Sequence, residues 1–230
     1  MTNSPSKTPV KTVATHQVVQ AAHPREVTEK DEVGMAIGKA IDGTLSQYSH
    51  EASQGHRPTA TSMNRVARGI LDEELRDAHL ELAAGDLERV LVELAGVLSA
   101  FRRSELFGLP RPRTRMILIN GRVGVYAQPD YWDGRRRIYE MKSYRAFPVT
   151  PDVGMQLGYF QLAYPGFVEI LACFDRHSSP VEATLHEIPP LDANRSQELL
   201  RLAYHTGLTL GTEKVLEFID LTIVHYSVPL

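Results

Sequence analysis

Residues 121–144, GRVGVYAQPDYWDGRRRIYEMKSY, and their continuation 145–164, RAFPVTPDVGMQLGYFQLAY, decide how the rest of the chain is read. Val123 and Val125 alternate with Gly124 and Tyr126 into Ala127; Pro129-Asp130 follows, then Asp133-Gly134, then the run Arg137-Ile138-Tyr139-Glu140-Met141-Lys142. This pattern predicts two strands joined by a reversal, because Asp-Gly readily supplies the positive φ that a tight turn needs. With a side-chain period of two, Glu140 and Lys142 share one face of the return strand while Tyr139 and Met141 share the other. Asp130, just across the turn, reaches the first face as well. Two carboxylates and a lysine converging there suit a hard divalent cation held through oxygen, with the lysine orienting a water or stabilising a charged phosphorane-like state. The same residues also fit an exposed hairpin carrying an ordinary aspartate and an i,i+2 Glu/Lys pair, and spacing alone leaves both readings open.

Pro129-Asp130, then Glu140-Met141-Lys142, then a helix carrying Gln156 resemble the motif of the PD-(D/E)XK nuclease superfamily, in particular its RecB-like branch. The resemblance implies an α/β, restriction-endonuclease-like fold with a central mixed β-sheet flanked by α-helices. It also implies that Asp130 and Glu140 are ligands of Mg²⁺ or Mn²⁺, that the backbone carbonyl of Met141 completes the metal shell, and that Lys142 assists the attacking water. RecB-like members carry Gln-x-x-x-Tyr on the next helix; here Gln156 fits, but Phe160 stands in the tyrosine place, with Tyr159 and Tyr164 to either side. Upstream, Gly34-Met-Ala-Ile37-Gly38-Lys39-Ala-Ile41-Asp42 is similar to the family's early helix, in which a histidine adds a metal ligand. Gly38 occupies that histidine's place, so water fills the position or activity is weakened. Read without the family, Met35 to Tyr48 is an amphipathic helix with Ile37, Ile41 and Leu45 inward.

Composition bounds these expectations. The chain has 230 residues, 43% hydrophobic and 23% charged, enough for one globular domain, expected over residues 29–230. Residues 1–28, rich in Ser, Thr, Pro and Lys, read as a disordered N-terminal segment. The single cysteine, Cys173, rules out an intrachain disulfide and a four-cysteine iron–sulfur cluster, and points to the cytoplasm. It lies in an apolar run and reads as a small buried hydrophobe. No apolar stretch approaches the ~20 residues of a membrane helix, and the first residues lack a secretory signal pattern. Net charge is −3, so local charge matters more than the balance. Arg102-Arg103, Arg111, Arg113, Arg115 and Arg135-Arg136-Arg137 bracket the motif; they form either a solvated face or a phosphate track. Arg135, Arg136, Arg137, Tyr144 and Gln156 are the candidates for nucleic-acid contact. The nine histidines show no zinc spacing.

Elsewhere the spacing predicts a helix from about Ser62 to Ala84 ended by Gly85, and a second helix capped by Asp86 and running to Arg103. Strands are expected near 115–120, 122–129, 136–143, 167–174 and 181–188, all in the central sheet. Asn120-Gly121 makes a hairpin turn, Pro151-Asp152 opens the Gln156 helix, and Asp192 caps a helix to about Tyr204. The segment Thr212 to Leu230 mixes helix and strand preferences. Taken together, the expected function is a Mg²⁺- or Mn²⁺-dependent deoxyribonuclease acting on DNA. The alternative from another class is a non-catalytic nucleic-acid-binding or assembly subunit that keeps the fold.

Overall fold

The computed structural model describes residues 9–24, 26–53, 55–215 and 222–229. In chain order the elements are β1 (Pro9–Ala14), α1 (Thr15–Ala22), α2 (Glu29–Ser53), α3 (Ala60–Asp77), α4 (Ala84–Arg103), β2 (Arg115–Ile119), β3 (Val123–Ala127), β4 (Tyr131–Trp132), β5 (Arg137–Lys142), α5 (Pro151–Ala163), β6 (Val168–Phe174), β7 (Ala183–Ile188), α6 (Ala193–Leu210), β8 (Thr212–Val215) and β9 (Thr222–Tyr226). The chain is α/β, as expected, but its described strands form two mixed sheets rather than one. A five-stranded sheet runs β8-β1-β3-β2-β9 and a four-stranded sheet runs β4-β5-β6-β7.

That division corrects the expected hairpin. β3 pairs with β2 across the Asn120-Gly121 turn, where both residues take positive φ (49° and 65°), and on its other side with β1 in parallel. The Asp133-Gly134 reversal instead joins β5 to β4, which is only two residues long, and Asp133 Oδ1 accepts the Arg135 and Arg137 amides to close the turn. Pro129-Asp130 is therefore the connector between the sheets, and Pro129, having no N–H, suits the point where one ladder stops.

The N-terminal segment expected to be disordered carries β1 and α1. β1 lies between β3 and β8, with Val10, Thr12 and Val13 buried, and its alternation is short enough to be hidden among Thr, Lys and Pro. Residues 1–8 of the expected disordered segment fall outside the described residues. The α3 helix stops at Asp77, earlier than expected, because His79 turns left-handed (φ 57°) and the chain closes with Leu80 N–H on Leu75 O (2.9 Å) and His79 N–H on Arg76 O (3.0 Å). This is a Schellman end with histidine where glycine is more usual. Gly85 lies inside α4, whose first turn holds Asp86 rather than being capped by it. The Asp192 cap forms as expected, accepting Arg195 N–H at 2.7 Å, and α6 continues past Tyr204 to Leu210. Of the ambiguous C-terminal segment, Thr212–Val215 and Thr222–Tyr226 are strands on the two edges of the five-stranded sheet.

Two cores hold these layers. Ile37, Ile41 and Leu45 of α2 join Met63, Leu71, Leu94 and Phe101 of α3 and α4 against Tyr139, Ile170 and Phe174 on one face of the four-stranded sheet. On its other face, Ile138, Leu171 and Cys173 meet α5, which also packs on Ile117, Val123 and Val125 of the five-stranded sheet. Covered on nearly every side, α5 is apolar almost all round, with Val153, Met155, Leu157, Tyr159, Phe160 and Leu162 buried. Its polar exceptions are thereby informative.

Candidate active site

The C-terminal end of β5 carries Glu140 and Lys142 on the face covered by α5, and α5 brings Gln156 opposite them. Lys142 Nζ donates to Glu140 Oε1 (2.6 Å) and to Gln156 Oε1 (2.9 Å), while Gln156 Nε2 donates to the same Glu140 oxygen (2.8 Å). The three side chains close a triangle. Asp130 reaches it from the connector: Asp130 N–H bonds Tyr139 O (3.0 Å), and Asp130 Oδ2 accepts Met141 N–H (2.8 Å). The predicted Asp130, Glu140, Met141, Lys142 and Gln156 thus come together, and what was read as a turn-spanning pair is built by tying the connector to the β5 backbone.

The pairing has an electrostatic consequence. Burial and then the neighbouring Glu140 charge push the Asp130 carboxyl well above the usual carboxylate range, an effect the Met141 N–H and Lys142 only partly offset. Burial works against the Lys142 ammonium, but the Glu140 carboxylate outweighs it and holds the lysine charged above its ordinary range. One lysine therefore faces two acids. Among the described residues no hydrogen bond reaches Asp130 Oδ1 or Glu140 Oε2. Among the described residues each acid therefore accepts hydrogen bonds through one oxygen only.

These groups open into a cleft of about 780 Å³, walled by the first half of α2 through Gly34, Gly38, Ile41 and Leu45. Gly38 belongs to this wall, and a Cβ placed on it would meet nothing within 4 Å. Among the described residues no cluster of three His, Cys, Asp or Glu side chains stands ready to hold a metal. The donor set is two carboxylate oxygens, to which water would be added, and it fits an oxygen-preferring divalent ion such as Mg²⁺ or Mn²⁺.

Of the expected nucleic-acid contacts, Gln156 is committed to the triangle and Tyr144 lines the cleft, partly exposed. Arg135, Arg136 and Arg137 do not line it. They lie at the start of β5, where Arg136 O accepts Val168 N–H, at the opposite end of the strand from Lys142. Several other arginines of the supposed phosphate track are used in the fold. Arg102 Nε donates to Pro58 O (3.0 Å), Arg103 to Ser99 Oγ (2.5 Å), Arg111 to Asp42, and Arg115 to Ala163 O (3.2 Å) while stacking 4.3 Å over the Tyr164 ring. Tyr159 and Tyr164 are also removed from the cleft, since their hydroxyls donate to Leu199 O and Arg113 O in the core. Arg176 does line the cleft, and no motif marked it: a lone arginine in Asp175-Arg176-His177 after β6 carries no periodic signal. Cys173 is buried and its thiol is pushed up by that burial, as expected of a packed residue. No described helix is long and apolar enough to cross a membrane.

No family model and no curated protein matches this chain. Among solved structures it is similar to one titled "Crystal structure of SSO0001", at 14% identity over 92% of this chain and 82% of that one, with a TM-score of 0.39. A likeness that loose carries no argument about chemistry.

Proposed function

We propose that the chain is a Mg²⁺- or Mn²⁺-dependent nuclease that hydrolyses DNA phosphodiester bonds in the cleft beside β5. The observation that carries this reading is the Glu140–Lys142–Gln156 triangle with Asp130 pinned beside it. Hydrolysis of a phosphodiester needs positive charge near the phosphoryl oxygens and a water made acidic more than it needs a covalent nucleophile. A bound divalent ion would supply both, held by Asp130 Oδ1 and Glu140 Oε2. The chain's own residues then have distinct tasks. Glu140 Oε1 and Gln156 Oε1 take two of the three Lys142 donors, leaving one for a phosphate oxygen or the attacking water. Gln156 fixes the Glu140 carboxylate from the α5 side by donating to Oε1, the oxygen that also accepts from Lys142, which leaves Oε2 for the ion. Asp130 is oriented by the Met141 N–H, which also keeps part of its charge compensated when no ion is bound.

The second reading, a non-catalytic nucleic-acid-binding or assembly subunit, is favoured by Gly38, which leaves an open place on the cleft wall where the resembled family puts a ligand. Incubating the purified chain with linear and circular DNA, with and without Mg²⁺ or Mn²⁺, separates the two. Metal-dependent loss of either DNA supports the nuclease; intact DNA under all conditions, with retained binding, supports the subunit.

A further inference from the structure

Arg176 extends from the turn after β6 to the cleft, where its side chain is only 14% exposed. Among the described residues Glu93 of α4 is the one carboxylate within ion-pair distance, and it stands beside Nε at 3.5 Å without a hydrogen bond; Nε is buried with no acceptor. Glu93 also faces His177 Nδ1 at 3.4 Å. Nη2 lies 3.5 Å from where a Cβ of Gly34 would stand. The planar group is therefore bracketed by Glu93 beside Nε and by the Gly34 backbone beside Nη2. Gly34 and Gly38 lie one helical turn apart; Arg176 itself packs against Gly34, while a Cβ on Gly38 would meet nothing within 4 Å, which permits close approach of a ligand backbone next to the guanidinium.

The cleft needs such a cation. Asp31, Asp42, Asp130, Glu140 and Asp152 line it against Lys30, Lys142 and Arg176, and a polyanion entering a cleft with more acids than bases is repelled unless fixed positive groups receive it; Lys30 is exposed on a flexible stem, whereas Arg176 is held in place. Lys142 has already given two donors to Glu140 and Gln156. Arg176, with five donors in a rigid fork and, among the described residues, an ion-pair partner only beside Nε, has both the charge and the geometry for a phosphate. We propose that Arg176 is a phosphate-binding residue that clamps a backbone phosphate of the nucleic-acid strand, neighbouring the phosphate addressed by Lys142. The proposal rests on the nuclease reading of the cleft and adds a second point of attachment to it, which would fix the strand's direction across the Gly34–Gly38 face.

The test measures binding of a fluorescein-labelled single-stranded deoxyribonucleotide decamer to the full chain by anisotropy, in EDTA, across a NaCl series, alongside melting curves. Arg176→Gln is expected to raise Kd about tenfold and to reduce the slope of log affinity against log salt by about 0.7, one phosphate contact on a single strand. Glu93→Gln, which breaks the same ion pair from the other side, is expected to lower the melting temperature to a similar extent while keeping the salt slope and binding no more weakly. The loss in Arg176→Gln should be equal for decamers with and without a 5′-phosphate. If wild-type protein binds and cleaves DNA while Arg176→Gln binds with unchanged Kd and slope, Arg176 is only the partner of Glu93 and the proposal is overturned with the nuclease reading intact. A loss confined to the phosphorylated decamer overturns the backbone clamp as well. If the wild type neither binds nor cleaves, the nuclease reading fails and takes the clamp with it.

Discussion

At the scale of single residues, Lys142 and the two acids are so interlocked that each substitution has a distinct cost. Asp130→Ala, Glu140→Ala and Lys142→Ala are each expected to reduce cleavage by about 100-fold or more, measured as initial rates beside melting curves that show a retained fold. Wild-type turnover in any one of them removes that residue from the chemistry. Gly38 offers the converse, a gain. Because a Cβ there meets nothing within 4 Å, Gly38→His should fold with an unchanged melting temperature and bind Mn²⁺ more tightly, since an imidazole favours the softer ion. Calorimetry showing unaltered Mn²⁺ affinity in the folded variant would mean that the ring does not reach the ion. Glu169 of β6 is a further residue at odds with its place: 2% exposed, with neither carboxylate oxygen accepting a hydrogen bond among the described residues. Burial drives its carboxyl well above the usual range, an effect that the Gln161 amide beside it only partly offsets. A folded pKa above the unfolded one means that the native state holds the proton longer. Stability is therefore greatest below the unfolded value of about 4.3 and falls as pH rises through the raised folded value. Glu169→Met should flatten that decline and stabilise the protein by roughly 1–3 kcal/mol at neutral to alkaline pH. Denaturant unfolding across a pH series measures it, and a parallel decline in the variant would assign the pH dependence elsewhere.

At the scale of elements, close packing sets what can be changed. A Cβ on Gly207 of α6 would lie 2.3 Å from Val123 Cγ1 on β3, so Gly207→Ala should cost about 1–3 kcal/mol by forcing the helix off the sheet. Gly85, inside α4 with open space around it, is the control: Gly85→Ala should stabilise by about 0.5–1 kcal/mol through helix propensity. Urea melts of the two variants should move in opposite directions. The meeting of Asp130, Glu140, Lys142 and Gln156 was legible in the sequence because period-two alternation and an unusually apolar helix with Gln156 as its exception are local signals. The partner of β5 was not legible, since Tyr131-Trp132 is too short to show a period, so Val123–Ala127, a stronger strand, was paired with it instead. β1 was hidden for a similar reason: Pro9–Ala14 has only two buried valines to declare it, and its place between β3 and β8 is set by pairings far along the chain. Arg176 lay beyond reach because its significance comes entirely from α2 passing in front of it.

At the scale of the whole molecule, the arginine run and the cleft lie at opposite ends of β5, so the proposed DNA contact in the cleft can be tested apart from any at the arginines. For the decamer described above, replacing Arg135, Arg136 and Arg137 with Gln should leave the salt slope unchanged; a flatter slope would show that the strand runs the length of the sheet to its far end. The two-sheet arrangement has a consequence of its own. Asp130 arrives on the chain leaving the five-stranded sheet, yet its N–H is bonded to Tyr139 and its carboxylate to Met141, both on β5. Mechanically it belongs to the four-stranded sheet, along with Glu140 and Lys142, and Gln156 is bonded to those two residues. Among the described residues the five-stranded sheet places no side chain in the triangle; it bears on the site through α5, which packs on Ile117, Val123 and Val125 while Gln156 holds Glu140. Strain applied at its edge strands β8 and β9 would therefore reach the site by shifting Gln156 against β5, as load passes between two plates through a shared rod.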